Sequence, residues 1–391
     1  MALMVKSAAQ LTLRRLTIIV AIQWMGATLA LPLLPLFLEH RGASPSLVGV
    51  VMASFFVAGV ATQFVLGHVA DRFGRRRVLV GALVTYGLAS MIFMLPVSAV
   101  WFVVARALQG ASAGAFEVTS LSAVAALFAE AERGRAMSRI FAAQIFGLAL
   151  GPMVGALSSV DHLGYAYFVT GLISLVAAIV ATRTYLGDEH MTSEPLPPLQ
   201  WTQQVVGTLF AASASGLTIG VYEACWSLLL HLHHASTLQI RLSWTLFGLP
   251  MATLSRFGGW LADHANRRVV SLAGILSGAL FLSIYPHIHN NVVILFLGSV
   301  EAIGAALSVA SISSLMSQGA HQRELSRRQG LYTTANTAAL ALAAGVSGAL
   351  FSINSALPFT VVSIVSSALA LTTLWWWRDV RGHITPDATT T

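Results

Sequence analysis

Polar residues in this chain are concentrated in short stretches, and long apolar runs lie between them. The runs divide most naturally into twelve: 16–38, 45–67, 78–97, 99–127, 137–158, 163–186, 202–230, 237–262, 268–286, 291–318, 327–352 and 357–377. A helix crossing a bilayer core needs about 20 apolar residues. The pattern therefore predicts an all-α integral membrane protein with twelve transmembrane helices. Gly187–Gln200 is acidic and rich in proline, which marks a linker between two sets of six. The expected organisation is a six-helix bundle over 1–186, a linker over 187–201, and a second bundle with a short tail over 202–391.

Composition agrees: 56% of residues are hydrophobic and 9% charged, with a mean hydropathy of +0.76. The net charge of +7 invites a nucleic-acid partner, but the placement of the charges rejects it. Lys6, Arg14 and Arg15 precede the first run. Arg72, Arg75, Arg76 and Arg77 follow the second, and Arg133, Arg135 and Arg139 join the fourth to the fifth. Arg183, Arg267, Arg268, Arg323, Arg327, Arg328, Arg378 and Arg381 continue that side, while the other side has only Arg41 and Arg241. By the positive-inside rule both termini are expected in the cytoplasm. The first run is full length and reads as an anchor that stays in the fold. Cys225 is the sole cysteine, so no intrachain disulfide can form. His231, His233 and His234 lack a carboxylate or cysteine companion at ligand spacing, and no metal site is expected.

The stretch Gly67–Arg77 packs Asp71 and four arginines between two apolar runs and reads as a short surface loop. Gly67 permits close helix approach, Gly74 permits a tight reversal, and Asp71 can accept from the N–H groups of another helix's N-terminus. Shifted by 192 positions, Gly67, Asp71, Arg75 and Arg76 fall on Gly259, Asp263, Arg267 and Arg268, which indicates an internal duplication. Asn266 replaces Gly74 and is read as a second left-handed turn residue. In the fourth run, Arg106, Gln109, Ala113 and Glu117 share one helical face. A charged side chain at that depth marks function or a structural ion pair. In the fifth run, Gly147, Gly151 and Gly155 at four-residue spacing, with Pro152, form a seam on which a second helix can close.

These three motifs, in this order, resemble the signatures of the major facilitator superfamily. The first is Gly67-x-x-x-Asp71-Arg72-x-Gly74-Arg75-Arg76; the others surround Arg106 and span Gly147–Ala156. The last resembles the antiporter signature of its twelve-span drug:proton exchangers, with Ala156 in place of a usual glycine. The resemblance implies two pseudo-symmetric bundles that rock about a midplane site, with Asp71 and its neighbours gating the motion. It places the first, fourth, seventh and tenth helices around a central cavity. On that basis Arg106, Glu117, Glu223 and Glu301 would handle the substrate or proton, and Gln23, Trp24, Gln109, Phe116, Tyr222 and Trp226 would line the cavity. It implies a monomer in a plasma membrane of the bacterial inner-membrane type, with a small-molecule substrate, no cofactor, and protons as coupling ion.

Several readings stay open at this point. The substrate could be an amphipathic or cationic compound, or else a sugar, amino acid or other metabolite. No phosphate loop is present, so ATP is not the expected energy source. A membrane enzyme would need a nucleophile–base pair that the sequence does not display, and a sensor without transport is a third possibility.

Overall fold

The structure, a computed structural model, describes residues 2–128, 130–155, 159–184, 200–319 and 322–380. The side chains at 2–8, 64–73, 130, 131, 133, 134, 255, 256, 259, 262, 263, 322, 323, 325 and 326 lie outside the description. The predicted 187–201 linker is almost wholly outside it as well. The elements are helices: α1 Ala2–Leu29, α2 Leu34–His40, α3 Pro45–Phe73, α4 Arg75–Met91, α5 Trp101–Leu127, α6 Glu130–Val154, α7 Leu163–Thr182, α8 Gln203–Leu232, α9 Thr237–His264, α10 Arg267–Ile284, α11 Asn291–Ser317, α12 Gln322–Ile353 and α13 Leu357–Trp376. Among the described residues, eleven segments are long and apolar enough to cross a membrane.

Two compact units result. One comprises Met1–Thr192 with Leu230–Thr245, and the other Ser193–Leu229 with Leu246–Thr391. The last turn of α8 and the opening of α9 therefore belong to the first unit, although the remainder of both helices belongs to the second.

Each helix break has a local cause. Pro32 and Pro35 interrupt the first span: α1 ends at Leu29, a 3-10 turn covers Leu31–Leu33, and α2 restarts with Pro35 in its first turn. The predicted loop Gly67–Arg77 is much shorter than expected. The backbone of α3 stays helical through Phe73, Gly74 alone breaks it at φ 86°, and α4 begins at Arg75. Leaving the hydrocarbon gives a polar stretch no reason to unwind, so the chain turns only where glycine makes a positive φ inexpensive. The equivalent break at Asn266 works differently from the expectation. Asn266 has φ −71° and ψ 104°, and its side-chain oxygen accepts from the Arg268 N–H at 3.1 Å. It is a helix N-cap, a role glycine has no side chain to fill.

The burial pattern differs from that of a water-soluble bundle: the interior is apolar, as around Leu16, Leu83 and Ile140, and the outer surface is apolar as well. Large apolar side chains face outward along single helices, such as Val169, Leu172, Val176, Ile179 and Val180 on α7. The interior holds hydroxyls: Ser90, Thr119, Ser174, Ser311, Ser366 and Thr373 are buried. Most of them bond to carbonyls: Ser174 reaches Leu83 on α4 at 2.8 Å, and Ser366 reaches Ala214 on α8 at 3.0 Å. Where lipid is the solvent, such contacts and close backbone packing replace the hydrophobic effect as glue.

Candidate functional site

In the first unit α3, α4 and α5 enclose Arg106, which is 3% exposed. Small residues make this possible. A Cβ on Gly110 would strike the Phe55 carbonyl, and one on Gly114 would lie 2.6 Å from the Gly59 carbonyl. With α3 and α5 so close, the guanidinium lies over the Phe55 ring, 4.3 Å from its centroid, and donates to Gln109 Oε1 at 3.2 Å. Gln109 Nε2 donates to Ser90 Oγ at 2.9 Å, and Ser90 in turn donates to the Tyr86 carbonyl at 2.8 Å. Arg106 forms no ion pair among the described residues, and its Nε has no hydrogen-bond partner. A desolvated cation–π contact contributes about 2 kcal/mol, less than the several kcal/mol that burying a cation costs. The Gln109 bond adds about 1.5–3 kcal/mol, so the contacts roughly offset the burial and leave Nε as a spare donor.

Glu117 lies three turns further along α5 and accepts from Gln63 Nε2 of α3 at 3.3 Å. With Trp24, Phe116, Ser120 and Gln144 it lines a crevice of about 10 Å³, close to the space one water needs. Thus Glu117, Trp24 and Phe116 come together, Arg106 and Gln109 come together, and the two groups are separate. Gln23 is buried on α1 but does not line this crevice.

The second unit holds the best-defined carboxylate. Glu301, 4% exposed, sits ten residues into α11, about 15 Å along the helix. Its Oε1 accepts from the Tyr222 hydroxyl of α8 and its Oε2 from the Tyr285 hydroxyl beyond α10, each at 2.8 Å. Trp226 packs edge-to-face against both tyrosines, with centroids 5.3 and 5.0 Å away. The rings fill the space between one another, so they act first as the walls and ceiling of the carboxylate. Glu223 is buried one residue from Tyr222 and is not a partner of Glu301.

Sequence reading missed Phe55, Gln63, Ser90 and Tyr285. The 192-position repeat carried a usable signal, because it maps Glu301 onto Gln109. Both tie their helix to the one before it, Gln109 to Ser90 of α4 and Glu301 to Tyr285 after α10.

The glycine stripe of α6 meets α1 in parallel register. A Cβ on Gly147 would meet Ala21, Trp24 and Met25; on Gly151 it would meet Thr28 and Met25; on Gly155 it would meet Leu29 and, 2.5 Å away, Arg241 Nη1. Pro152 is buried inside α6. The Thr28 hydroxyl, facing the stripe, lies 3.4 Å from the Gly147 carbonyl. In the second unit the glycines change sides: Gly216 and Gly220 of α8 abut Asn336, Ala339, Leu340 and Ala343 of α12.

Of the expected gating residues, the side chains of Gly67, Asp71, Arg72, Gly259 and Asp263 lie outside the described residues. Arg75 and Arg267, equivalent first residues of α4 and α10, are both buried, while Arg76 is exposed.

The family model described as the Major Facilitator Superfamily matches residues 16–222 and 205–390. Multidrug resistance protein 2 of Bacillus subtilis (strain 168) is 29% identical over 174 residues, 44% of this chain and 43% of that protein. The chain thus spans less than half the length of that relative. A chloramphenicol resistance protein of Pseudomonas aeruginosa is 25% identical over 312 residues, 76% of this chain and 73% of that one. Among solved structures, a bacterial homolog of the human lysosomal transporter Spinster, inward-facing and unoccupied, superposes with a TM-score of 0.75. That match has 11% identity and covers 97% of this chain and 99% of the other, a likeness of fold.

Proposed function

Because the chain belongs to the Major Facilitator Superfamily, and so is a multi-pass membrane transporter and not an enzyme, we propose that it expels small amphipathic or cationic compounds by proton-coupled alternating access. On this reading twelve spans form two six-helix bundles over 1–186 and 202–391, joined by the 187–201 linker. Both termini face the cytoplasm of a cell whose plasma membrane is of the bacterial inner-membrane type, and the monomer is the working unit. The α1–α6 seam, with Gly147, Gly151, Pro152 and Gly155, is the surface that changes as access alternates, and Asp71 and Asp263 bias the two states. The drug-resistance names of the two relatives support export of drug-like compounds.

One observation carries the coupling: Glu301 is buried deep in an apolar helix with both oxygens bonded to tyrosines. A carboxylate accepts at both oxygens, whereas a carboxylic acid must donate from one of them. Taking up a proton therefore makes one tyrosine reverse its bond or give it up, and giving it up loosens α8 or the end of α10 from α11. Half-buried Glu117 and buried Glu223 and Arg106 are the other charged groups assigned to the cavity on this reading, and Arg106 keeps a donor for a carboxylate that approaches during the cycle.

The test is flux in proteoliposomes under an imposed pH gradient, using a panel of dyes, cations and metabolites. Glu117→Gln, Glu223→Gln and Glu301→Gln are compared with the parent. Loss of pH-driven accumulation with substrate exchange preserved identifies the coupling residue. Retention of pH-driven accumulation by all three variants overturns the proposal.

A further inference from the structure

The four-residue row of Gly155, Gly151 and Gly147 continues back along α6 through buried Ala143 to Arg139. Glycine and alanine let the α1 and α6 backbones touch, and an arginine cannot. The seam opens there into a groove of about 400 Å³, lined by Gln10, Leu13, Arg14, Thr17 and Ile18 of α1 and by Arg139 of α6. That volume is within the ~300–1,000 Å³ of small-molecule sites.

Its chemistry has two ends. Arg14 and Arg139 are exposed, and neither forms an ion pair among the described residues. Gln10 adds a neutral amide, and among the described residues no carboxylate lines the groove. Arg15, next in the chain, is committed elsewhere and donates to the Arg183 carbonyl at 2.8 Å. The other end is apolar: Leu13 forms the floor, and Ile18, 50% exposed, leads outward along the membrane-facing surface of α1.

We propose that this groove binds an anionic phospholipid, its phosphate held between Arg14 and Arg139 and an acyl chain lying along Ile18. Two planar guanidinium forks match phosphate oxygens in geometry as well as charge. Basic pockets between membrane helices at the surface are suited to such headgroups. A soluble phosphate would meet the same arginines but gain nothing from Leu13 and Ile18, which is why a lipid is the better fit.

The experiment measures thermal unfolding of the purified protein in neutral detergent, titrated in turn with phosphatidylglycerol, phosphatidylcholine and inorganic phosphate. Phosphatidylglycerol should raise the melting temperature of the parent at concentrations where the other two do not, and added salt should weaken the effect. Arg14→Gln and Arg139→Gln should each lower the apparent affinity about fivefold, and the double variant about 25-fold. An equal response to phosphatidylcholine, a full response to inorganic phosphate, or parental affinity in the double variant would overturn the assignment. If the glutamine variants do not fold, native mass spectrometry of the parent decides. Preferential retention of phosphatidylglycerol over phosphatidylcholine upholds the site, and equal retention removes it.

Discussion

Glu301 is bonded by two tyrosine hydroxyls, so its titration is tied to theirs by geometry. A hydrogen bond to a charged group is worth about 1.5–3 kcal/mol, equivalent to about one or two pH units. Tyr285→Phe removes one such bond and keeps the ring that packs on Trp226. The pH profile of transport should therefore change, with folding retained. An unmoved pH profile in flux assays would show that Tyr285 is only packing. Tyr222→Phe should act in the same way from α8. Arg106 is subject to a different constraint, since its planar face lies on Phe55 while Nη1 reaches Gln109. A lysine supplies charge without the planar fork, so Arg106→Lys should lower thermal stability and flux together, measured by unfolding and transport on one preparation. Depth and charge made Arg106, Glu117 and Glu301 visible in the sequence, because an ionised group inside an apolar run is conspicuous. Tyr285 was not visible. A tyrosine at the end of a span looks like an interfacial anchor until the fold brings it to a carboxylate sixteen residues away.

At the scale of helices, the two repeat breaks invite a paired test. Gly74 is left-handed and Asn266 is an extended cap, so the same substitution should act through a different cause at each. Gly74→Ala forces a Cβ into positive φ at a cost of about 1–2 kcal/mol. Asn266→Ala loses its cap for about 0.5–2 kcal/mol, whereas Asn266→Gly should cost only a few tenths. Unfolding of the three variants separates these cases, and a large loss in Asn266→Gly would contradict the cap. The seam is the second test. A Cβ at Gly151 would already collide with the Thr28 hydroxyl, so Gly151→Leu must push α1 from α6. Accessibility labelling from both membrane faces should show one access state depleted, and unchanged labelling with unchanged flux would leave mere packing there. Element positions were legible because apolar length is set by the bilayer. Element ends were not: helices extend past the hydrocarbon into polar sequence, as α3 does through Phe73, and stop where backbone chemistry requires.

Across the whole molecule, several basic residues whose placement suggested topology also finish helices. Arg41 donates to the Leu95 carbonyl at 3.3 Å, Arg328 to Gln318 at 3.3 Å, and Arg268 to Trp377 at 2.6 Å and Arg378 at 3.3 Å. Each supplies positive charge to carbonyls at or just beyond a helix C-terminus, where the backbone lacks donors. Arg268→Gln should therefore lower the thermal stability of the second unit by about 1–2 kcal/mol, read by unfolding; no change would reduce the arginine to a topology signal. Arg15 adds a constraint of time. Its partner, the Arg183 carbonyl, lies 168 residues downstream. At roughly 5–20 residues per second, a ribosome needs on the order of 10–30 s to make that stretch. During that interval the Arg15–Arg183 contact cannot form, so this joint between the start of α1 and the end of α7 closes only after α7 is complete. Synthesis thus sets a delay on this joint, begun by an arginine near the start of the chain and ended by a carbonyl near its middle.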